Sequence, residues 1–443
     1  MNINNLYLLL VIYLFSFILS EKKVIFVFEH FRHGARSPSR INNNDLDKLY
    51  EKWNGIQELT NLGLRQHYLL GNFIRNNYPN LINYEKYNPK EIEVLSTITN
   101  RTIMSARAQL YGMFIKSKSK EINGNQNKTS IPYYLEKEIE NYNLNNKLIY
   151  PDNFPEEIPV HIVDIKDKLF QFEKKSCPNI KNIKKTNKKR KEIKDFLKRF
   201  NKTFGEQLLQ IYNISNDSNY FTDYENVNDI CIAATMDIFD GRNISFLNNN
   251  KIDITLLNNM SWEFFELKTT LVNAKDKEKL LGYAGSSVLI RKILSYMEKI
   301  LDDIKNNKND SPKLVLLSSH DTAIVNMEDL LNNLFDVKII APSFSANYIF
   351  ELVKENEEYM VNLVFNNEIL KTVKYSEFES KIKNKAWTFE KTGLYCGFLK
   401  EKDENSIWFL IVTITSLSIS IVLIIFTFLI IKIDNKKIDL ITE

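Results

Sequence analysis

The sequence predicts an α/β layer fold with an inserted helical subdomain. Short runs of β-branched and aromatic residues, which are typical of buried strands, alternate along the chain with amphipathic helical stretches. This alternation stops between about residues 165 and 275, where the chain is rich in Asn and Lys and its patterns are mostly helical or irregular. At roughly 150 residues per domain, the 443 residues correspond to about three units, or to one large domain with an insertion.

Two strand–helix pairs are predicted in the first part of the chain. Residues 24–28 are a β-branched and aromatic run of the kind found in buried strands. Residues 58–78 place apolar side chains at steps of three and four, which predicts an amphipathic helix. Residues 92–95 form a second short strand, which runs into a helical stretch over about 102–115.

The last part of the chain is predicted to return to the sheet. A long helical pattern covers residues 280–304, and a third buried strand follows at 314–317. Residues 348–353 and 359–365 then form two paired strands, with 355–358 as the turn between them.

Composition excludes several classes of protein. Apolar residues make up 44% of the chain and charged residues 26%, which suits a protein with a buried core and argues against disorder. The net charge of +4 excludes a polycation built for nucleic acid, so we expect no nucleic-acid partner. Three cysteines exclude a dense disulfide scaffold and a four-cysteine zinc site.

The insertion contains the strongest local charge. Residues 181–202 hold nine Lys and two Arg against Glu192 and Asp195, a net charge of +9. A solvated helix face is the plainer interpretation, and steering of anionic substrates toward the protein is the alternative.

Two apolar stretches lie near the ends of the chain. Residues 6–19 have the length of a signal-peptide core, so residues 1–20 are predicted as a signal peptide, with an uncleaved anchor as the alternative. Residues 407–431 contain no Asp, Glu, Lys or Arg and are long enough to cross a membrane, with a buried soluble helix as the alternative. Together they predict a single-pass type I membrane protein, with residues 21–405 outside the cytosol and the tail 432–443 inside.

Glycosylation sequons agree with that placement and predict a glycoprotein. Because the chain is rich in asparagine, several of the eight are accidents of composition. They begin at Asn100, Asn127, Asn201, Asn213, Asn216, Asn243, Asn259 and Asn309.

The most informative motif, RHGARSP at residues 32–38, follows the first strand. Arg32, His33 and Arg36 concentrate positive charge at a strand end, where ligands bind in open α/β sheets. Burying these groups without a partner would be costly, so an anion is expected there, and guanidinium forks match phosphate oxygens.

Two other strand ends carry similar residues. Arg101 lies between the second strand and its helix, and His320 and Asp321 follow the third strand. An isolated His-Asp pair is weak evidence, but three such features at strand ends predict one site. Arg and His would hold a phosphoryl group there, and Asp would deliver a proton.

These residues resemble those of the histidine acid phosphatases, a branch of the histidine phosphatase superfamily. The resemblance implies a three-layer sandwich with a central mixed sheet, like phosphoglycerate mutase, and a mainly helical cap over about 165–275. The membrane anchor makes the chain resemble the lysosomal or surface-type enzymes, and a homodimer is left open. The matching segments are RHGARSP (32–38), ELTNLGLRQHYLLG (58–71), STITNRTIMSA (96–106), IPVH (158–161), SSHDT (318–322) and APSFSANYIFEL (341–352).

The resemblance also implies roles for single residues. His33 matches the nucleophile, which forms a phosphohistidine, and Asp321 matches the acid that protonates the leaving alcohol. His161 matches a histidine with a supporting role near the site, whereas His30 and His67 are interpreted as structural. The groups that hold the phosphate are matched by Arg32, Arg36, Arg101 and His320.

The chemistry of these residue types agrees with those roles. A nucleophilic imidazole must be neutral. Neighbouring guanidinium groups lower the pKa of His33, so its ring stays neutral even in acid. A carboxyl group beside a bound phosphate holds its proton best at low pH, so we expect activity at acid pH. The guanidinium groups supply the charge stabilisation that a metal supplies elsewhere, so no metal or other cofactor is expected.

The resemblance extends to the cysteines. Cys177 and Cys396 match the family's disulfide-forming positions, which implies a bond between them. Cys231 also resembles a paired position, but Asn347 stands where its partner would be, so we expect a buried thiol outside any disulfide. A glycan on Asn100 would obstruct the pocket, so we expect that sequon to be unmodified.

The sequence therefore predicts a membrane-anchored acid phosphomonoesterase. A phytase-like or lysophosphatidate-directed relative would use the same residues and stays open as an alternative. A non-catalytic surface binding protein built on this fold is the other alternative, which the presence of His33 and Asp321 disfavours. The short tail has no sorting signal that distinguishes a lysosomal or endosomal location from the cell surface.

Overall fold

A seven-stranded mixed sheet, in the order β3-β2-β4-β1-β5-β6-β7, organises the computed structural model. The strands are Lys22–Arg32 (β1), Ile92–Ser96 (β2), His161–Ile162 (β3), Leu314–Ser319 (β4), Asn347–Glu355 (β5), Glu358–Phe365 (β6) and Glu368–Lys374 (β7). Strands β1 to β4 pair in parallel, whereas β5, β6 and β7 are antiparallel to their neighbours. The structure describes residues 22–37, 55–114, 158–163, 177, 188–211, 220–239, 252–269, 280–337, 342–399 and 412–429.

Helices flank the sheet, which confirms the predicted α/β fold. The helices are Asn61–Asn77 (α1), Asn100–Met113 (α2), Lys191–Ile211 (α3), Tyr224–Phe239 (α4), Ile254–Thr269 (α5), Leu280–Lys305 (α6), Asp321–Phe335 (α7), Tyr375–Lys385 (α8) and Phe389–Cys396 (α9). Helices α1 and α2 share one apolar cluster with the sheet, and α6, α7 and α8 share another.

Strand β4 shows why the predicted strands were recognisable. Its six residues are all buried, with Leu314 and Leu316 in the cluster of α1 and α2, and Val315 and Leu317 in the cluster of α6 and α7. A strand that is covered on both faces needs apolar side chains at every position rather than at alternate ones. The continuous apolar run in the sequence follows from this packing.

Helices α3, α4 and α5 have an apolar core of their own. Phe196 and Phe264 lie 5.2 Å apart between ring centres, and Phe200 and Phe221 lie 5.9 Å apart. These helices fall within the section that was predicted as a mainly helical insertion. The lysines of α3 lie on its exposed side, opposite this core.

The close contact between α1 and α2 depends on two glycines. A Cβ atom at Gly71 would lie 1.9 Å from the carbonyl oxygen of Gln109, and one at Gly112 would lie 2.0 Å from that of Tyr68. Only glycine permits backbones to approach so closely. The contact fixes α2 against α1, and both helices begin beside the strand ends at which the polar residues collect.

Some elements differ from the sequence-based expectation. Strand β1 continues through Arg32 rather than ending at residue 28, because the polar side chains of its second half are buried as well. Strand β7 was missed because Val373 is its single buried residue, so its pattern is polar. Strand β3 is only two residues long and has no periodicity to detect.

The disulfide implied by the resemblance is confirmed. Cys177 and Cys396 are bonded, both are fully buried, and they are 219 positions apart in the sequence. Cys231 is buried and is in no disulfide, as expected.

Residues 397–443 form a separate unit from residues 1–396. It contains a helix over Val412–Leu429 that has a mean hydropathy of 2.4 and is long and apolar enough to cross a membrane. The predicted signal peptide and the tail 432–443 lie outside the described residues. Four of the sequons also lie outside them, at Asn127, Asn213, Asn216 and Asn243.

Candidate active site

The polar ends of β1 and β4 lie side by side. The two strands are parallel neighbours with Arg32 opposite Ser319, so His33 and His320 leave the sheet together. The backbone N–H of His33 donates to the carbonyl of Ser319 at 3.0 Å, and the two imidazole rings are 5.6 Å apart between centres. The order of the sheet therefore brings two histidines together that are nearly 300 positions apart in the chain.

Strand β2 and helix α2 add the third part of this cluster. Thr97 follows β2, and its Oγ1 lies 3.1 Å from Nε2 of His320. Arg101, in the first turn of α2, donates from Nη2 to Nδ1 of His320 at 3.2 Å. Three separate segments of the chain thus meet at one edge of the sheet, where the sequence placed them.

Neighbouring helices hold the loop that follows β1. A Cβ atom at Gly34 would lie 2.6 Å from the carbonyl oxygen of Gly63 in α1, so the loop lies directly on the helix backbone. The backbone N–H of Gly34 donates to Oγ of Ser105 at 3.1 Å, and that of Ala35 donates to Oε1 of Gln66 at 2.8 Å. These contacts fix the backbone from which His33 projects before any substrate binds.

His33 is held as a neutral imidazole with one defined tautomer. Its Nδ1 lies 2.8 Å from the carbonyl oxygen of Gly34, which can only accept, so Nδ1 carries the hydrogen. Nε2 therefore keeps its lone pair. Burial lowers the pKa of His33 well below 6.5, and the charges of Arg32 and Arg36 lower it further.

His320 is neutral for the same physical reasons. The guanidinium of Arg101 can only donate, so Nδ1 of His320 accepts and Nε2 carries the hydrogen toward Thr97. Burial and the neighbouring charge of Arg101 lower the pKa of His320 to about 3. Both imidazoles of the cluster therefore stay uncharged in mild acid.

The guanidinium groups of the cluster are anchored at their far ends. Arg32 donates from Nη1 to the carbonyl of Pro342 at 2.7 Å, and its Nη2 lies 3.0 Å from Oδ2 of Asp321. Arg36 donates to the carbonyl of Ser37 at 2.8 Å, and burial followed by the charge of Arg101 lowers its pKa. Three guanidinium groups surround the histidines, so the cluster attracts an anion.

A buried network below the cluster was not predicted from the sequence. Glu29 is fully buried and accepts from Gln109 at 2.5 Å and from Asn347 at 2.6 Å. Gln109 also contacts Nδ1 of His67 at 3.2 Å. Burial raises the pKa of Glu29 to about 7, and the two hydrogen bonds oppose that rise. The one signal in the sequence is a glutamate that directly follows the apolar run 24–28.

His30 and His67 lie inside the protein, in keeping with their interpretation as structural. Both are fully buried, and Nε2 of His30 lies 2.6 Å from Oγ of Ser319. Burial lowers the pKa of His30 to about 3 and that of His67 to about 4.

A cavity opens in front of the cluster. Arg32, Arg36 and Asp321 line it on the side of the sheet. Helices α4 and α5 line the opposite side with neutral side chains. These are Asn228, Cys231, Ile232, Thr235, Ser261, Trp262 and Phe264.

His161 lies apart from this cavity. It is an exposed residue of β3 and lines a second cavity with Glu93 and Tyr296, which shares no lining residue with the first. Within the described part of the chain, no hydrogen bond or ion pair joins His161 to the cluster. Its supporting role stays a prediction.

Comparison with known proteins places this geometry in a family. Residues 23–366 match the model of the histidine phosphatase superfamily (branch 2). The chain is 27% identical to the prostatic acid phosphatase of Bos taurus over 363 residues, which cover 78% of each protein. It is 25% identical to the lysosomal acid phosphatase of Homo sapiens over 350 residues, 76% of this chain and 69% of that protein.

Solved structures share the fold. The phytase from Citrobacter braakii has a TM-score of 0.54 at 13% identity, and the match covers 82% of this chain and 97% of the phytase. The multiple inositol polyphosphate phosphatase of Bifidobacterium longum, in complex with inositol hexasulfate, has a TM-score of 0.50 at 12% identity, covering 84% of this chain and 94% of that one.

Proposed function

Because this chain belongs to branch 2 of the histidine phosphatase superfamily, it is an acid phosphatase, and we propose that it acts through a phosphohistidine on His33. One observation carries this mechanism. The hydrogen bond from Nδ1 to the Gly34 carbonyl leaves the Nε2 lone pair of His33 for attack, within a cluster of guanidinium groups. Neutrality of the ring is as important as its position, since a protonated imidazole has no lone pair to donate.

Phosphate binding is proposed to use the positive side of the cluster. Arg32, Arg36 and Arg101 would hold the non-bridging oxygens of the ester, and His320 would donate or accept beside them. These groups are already anchored by the carbonyls and rings around them, so little reorganisation is required when charge develops on phosphorus.

The first displacement forms a bond from Nε2 of His33 to phosphorus and breaks the bond from phosphorus to the ester oxygen. Asp321 donates its proton to that oxygen, so the product leaves as an alcohol. A bound phosphate beside Asp321 favours the protonated carboxyl, because two anions at close range repel each other.

In the second displacement, water attacks the phosphohistidine. Asp321, now a carboxylate, takes a proton from the water as the bond from phosphorus to Nε2 breaks. Inorganic phosphate leaves, and His33 and Asp321 return to their starting protonation states. Two displacements at one nitrogen replace one difficult hydrolysis by two easier steps.

The test is to trap the intermediate. The full-length protein in detergent would be mixed with ³²P-labelled substrate at acid pH, quenched in alkali and digested. We expect an alkali-stable, acid-labile label on the peptide that contains His33. Rapid turnover of p-nitrophenyl phosphate without a label on that peptide would contradict the phosphohistidine, and absence of turnover would favour the non-catalytic binding protein.

We also propose the topology of a type I membrane glycoprotein. The helix Val412–Leu429 supports an anchor, and the four described sequons begin at residues outside the apolar cores or at their margins. Protease treatment of intact vesicles should remove only the short tail, and a glycosidase should reduce the apparent mass of the protected part. The Asn100 side chain donates to Glu58 at 3.0 Å, and mass spectrometry of its peptide would test whether it is unmodified.

A further inference from the structure

The cavity in front of the cluster has two chemically different walls. The side of the sheet supplies charged groups, namely Arg32, Arg36 and Asp321. Among the described residues that line the opposite side, none carries a charge. That wall comes from α4 and α5, and its largest members are Ile232, Trp262 and Phe264.

Trp262 lines the same cavity as Asp321 and lies close to Arg32. The centre of its ring is 5.9 Å from the guanidinium carbon of Arg32, and Nη2 of the same guanidinium lies 3.0 Å from Oδ2 of Asp321. The ring is half-buried, so part of its surface faces the cavity. Because Asp321 would protonate the ester oxygen, the group attached to that oxygen leaves the phosphate site toward this wall.

Ile232 extends the same apolar surface toward Ala35, in the loop that follows β1. It is half-buried and packs against the small cluster of Ala35 and Phe344. The ring of Phe344 in turn lies 4.3 Å from the guanidinium carbon of Arg32. Trp262 and Ile232 therefore present apolar surface on the α4 and α5 side of the cavity, and Trp262 lies close to Arg32.

From this arrangement we infer that Trp262 and Ile232 form a leaving-group subsite for singly phosphorylated esters whose alcohol is aromatic or apolar and uncharged. An aromatic ring packed on Trp262 would bury apolar surface in a cavity that already orients the phosphate. This inference rests on the proposed function of the cluster and adds a substrate class to it.

The same wall disfavours substrates with several phosphate groups. Each additional phosphate needs a cation or donors, and an anion placed against apolar side chains loses hydration without compensation. The described cations that line the cavity are Arg32 and Arg36, and both are assigned to the transferred phosphate. The solved phytase from Citrobacter braakii shares the fold with this chain at only 13% identity, so its substrate does not indicate what this wall binds. The residues of the wall itself are the evidence for the substrate class.

The experiment compares two alkyl esters that differ by a ring. Benzyl phosphate and ethyl phosphate both release an alcohol, and kcat/KM would be measured for each with the full-length protein in detergent. Trp262→Ala should lower the ratio of kcat/KM for benzyl over ethyl phosphate about tenfold, and Trp262→Phe should restore most of it. Leu256→Ala, on the outer side of α5, is the matched control and should leave the ratio unchanged.

Each result decides the inference. An unchanged ratio in both Trp262→Ala and Ile232→Ala would overturn it, and Ile232→Ala carries the test if Trp262→Ala fails to fold. Release of phosphate from inositol hexakisphosphate as fast as from benzyl phosphate would overturn the substrate class while leaving the phosphatase intact. Loss of turnover on every ester by the wild-type protein would instead contradict the proposed function.

Discussion

The Nη2 atom of Arg32 lies 3.0 Å from Oδ2 of Asp321, so one guanidinium contacts both the proposed acid and the expected position of the phosphate. The Asp321 side chain is 22% exposed and the Arg32 side chain 5%, so the pair is partly shielded from water. A phosphate that binds Arg32 competes with this carboxylate. We therefore expect substrate binding and protonation of Asp321 to be coupled through the side chain of Arg32.

Replacing Asp321 tests its role as the acid. Asp321→Asn keeps an oxygen for Arg32 but has no proton to give, so esters of poor leaving groups should slow about 10²–10⁴-fold. Esters of p-nitrophenol, which leaves without protonation, should slow much less. The measurement is kcat for ethyl and p-nitrophenyl phosphate, with Asp310→Asn, an exposed aspartate paired with Lys90, as the control. Equal slowing of both esters would remove Asp321 from the acid role.

Replacing His33 tests the nucleophile and separates it from His161. His33→Ala should abolish phosphohistidine formation and reduce kcat by at least about 10³-fold, because no other described imidazole in the cluster has its Nε2 lone pair available. His161→Ala should keep most of the activity, since His161 lines a different cavity. A large loss of kcat in His161→Ala, with normal unfolding, would show that His161 supports the site after all.

Burial of Glu29 predicts a dependence of stability on pH. Its pKa is raised from 4.5 to about 7 in the folded protein, so folding favours the protonated form. The stability it contributes is fully present below about pH 4.5 and falls as the pH rises toward 7, by up to about 3 kcal/mol. Glu29→Gln should remove this part of the pH dependence of the free energy of unfolding, measured by denaturant titration.

Comparing Glu29→Gln with the wild type separates the contribution of Glu29 to the pH dependence of stability from that of the buried histidines. The lowered pKa values of His30 and His67 act in the opposite direction, reducing stability as the pH falls below about 6.5, but they are common to both proteins. Glu358→Gln, at an exposed ion pair, is the matched control. Identical pH dependence in Glu29→Gln and the wild type would refute the shifted titration.

The disulfide between Cys177 and Cys396 should contribute strongly to stability. It closes a loop of more than 200 residues, so its removal frees a large part of the unfolded chain. The double variant Cys177→Ser, Cys396→Ser should lose about 2–5 kcal/mol of unfolding free energy. Reduction of the wild type should lower its melting temperature to that of the variant, and a reductant with no effect would contradict the prediction.

Much of the fold could be predicted because the sheet is covered on both faces. Strand β4 begins with a continuous apolar run for that reason, and β1 contains one over residues 24–28. Strand β7 could not be recognised, since its solvent-facing side chains outnumber Val373. The extent of β1 was also underestimated, because burial of Glu29 depends on Gln109 and Asn347, which are distant in sequence.

The meeting of polar residues at the strand ends could be predicted because these residues have distinctive chemistry. Arg32, His33 and Asp321 are types that seldom occur together at strand ends without a ligand. The cavity wall formed by α4 and α5 could not be predicted from the sequence. Its residues Ile232 and Trp262 are neutral side chains on helices, and in the sequence they look like ordinary core residues. Their position relative to Arg32 depends on how helices α4 and α5 pack against the rest of the protein, which no local sequence pattern records.

The central position of β1 has a consequence for synthesis of the protein. Its two neighbours in the sheet, β4 and β5, come from the last quarter of the unit 1–396, and Arg32 and Asp321 are separated by 289 positions. A growing polypeptide thus carries His33, the proposed nucleophile, almost from the start but lacks Asp321, the proposed acid, until translation is about three-quarters complete. A chain that stalls on the ribosome before that point would leave phosphate esters untouched.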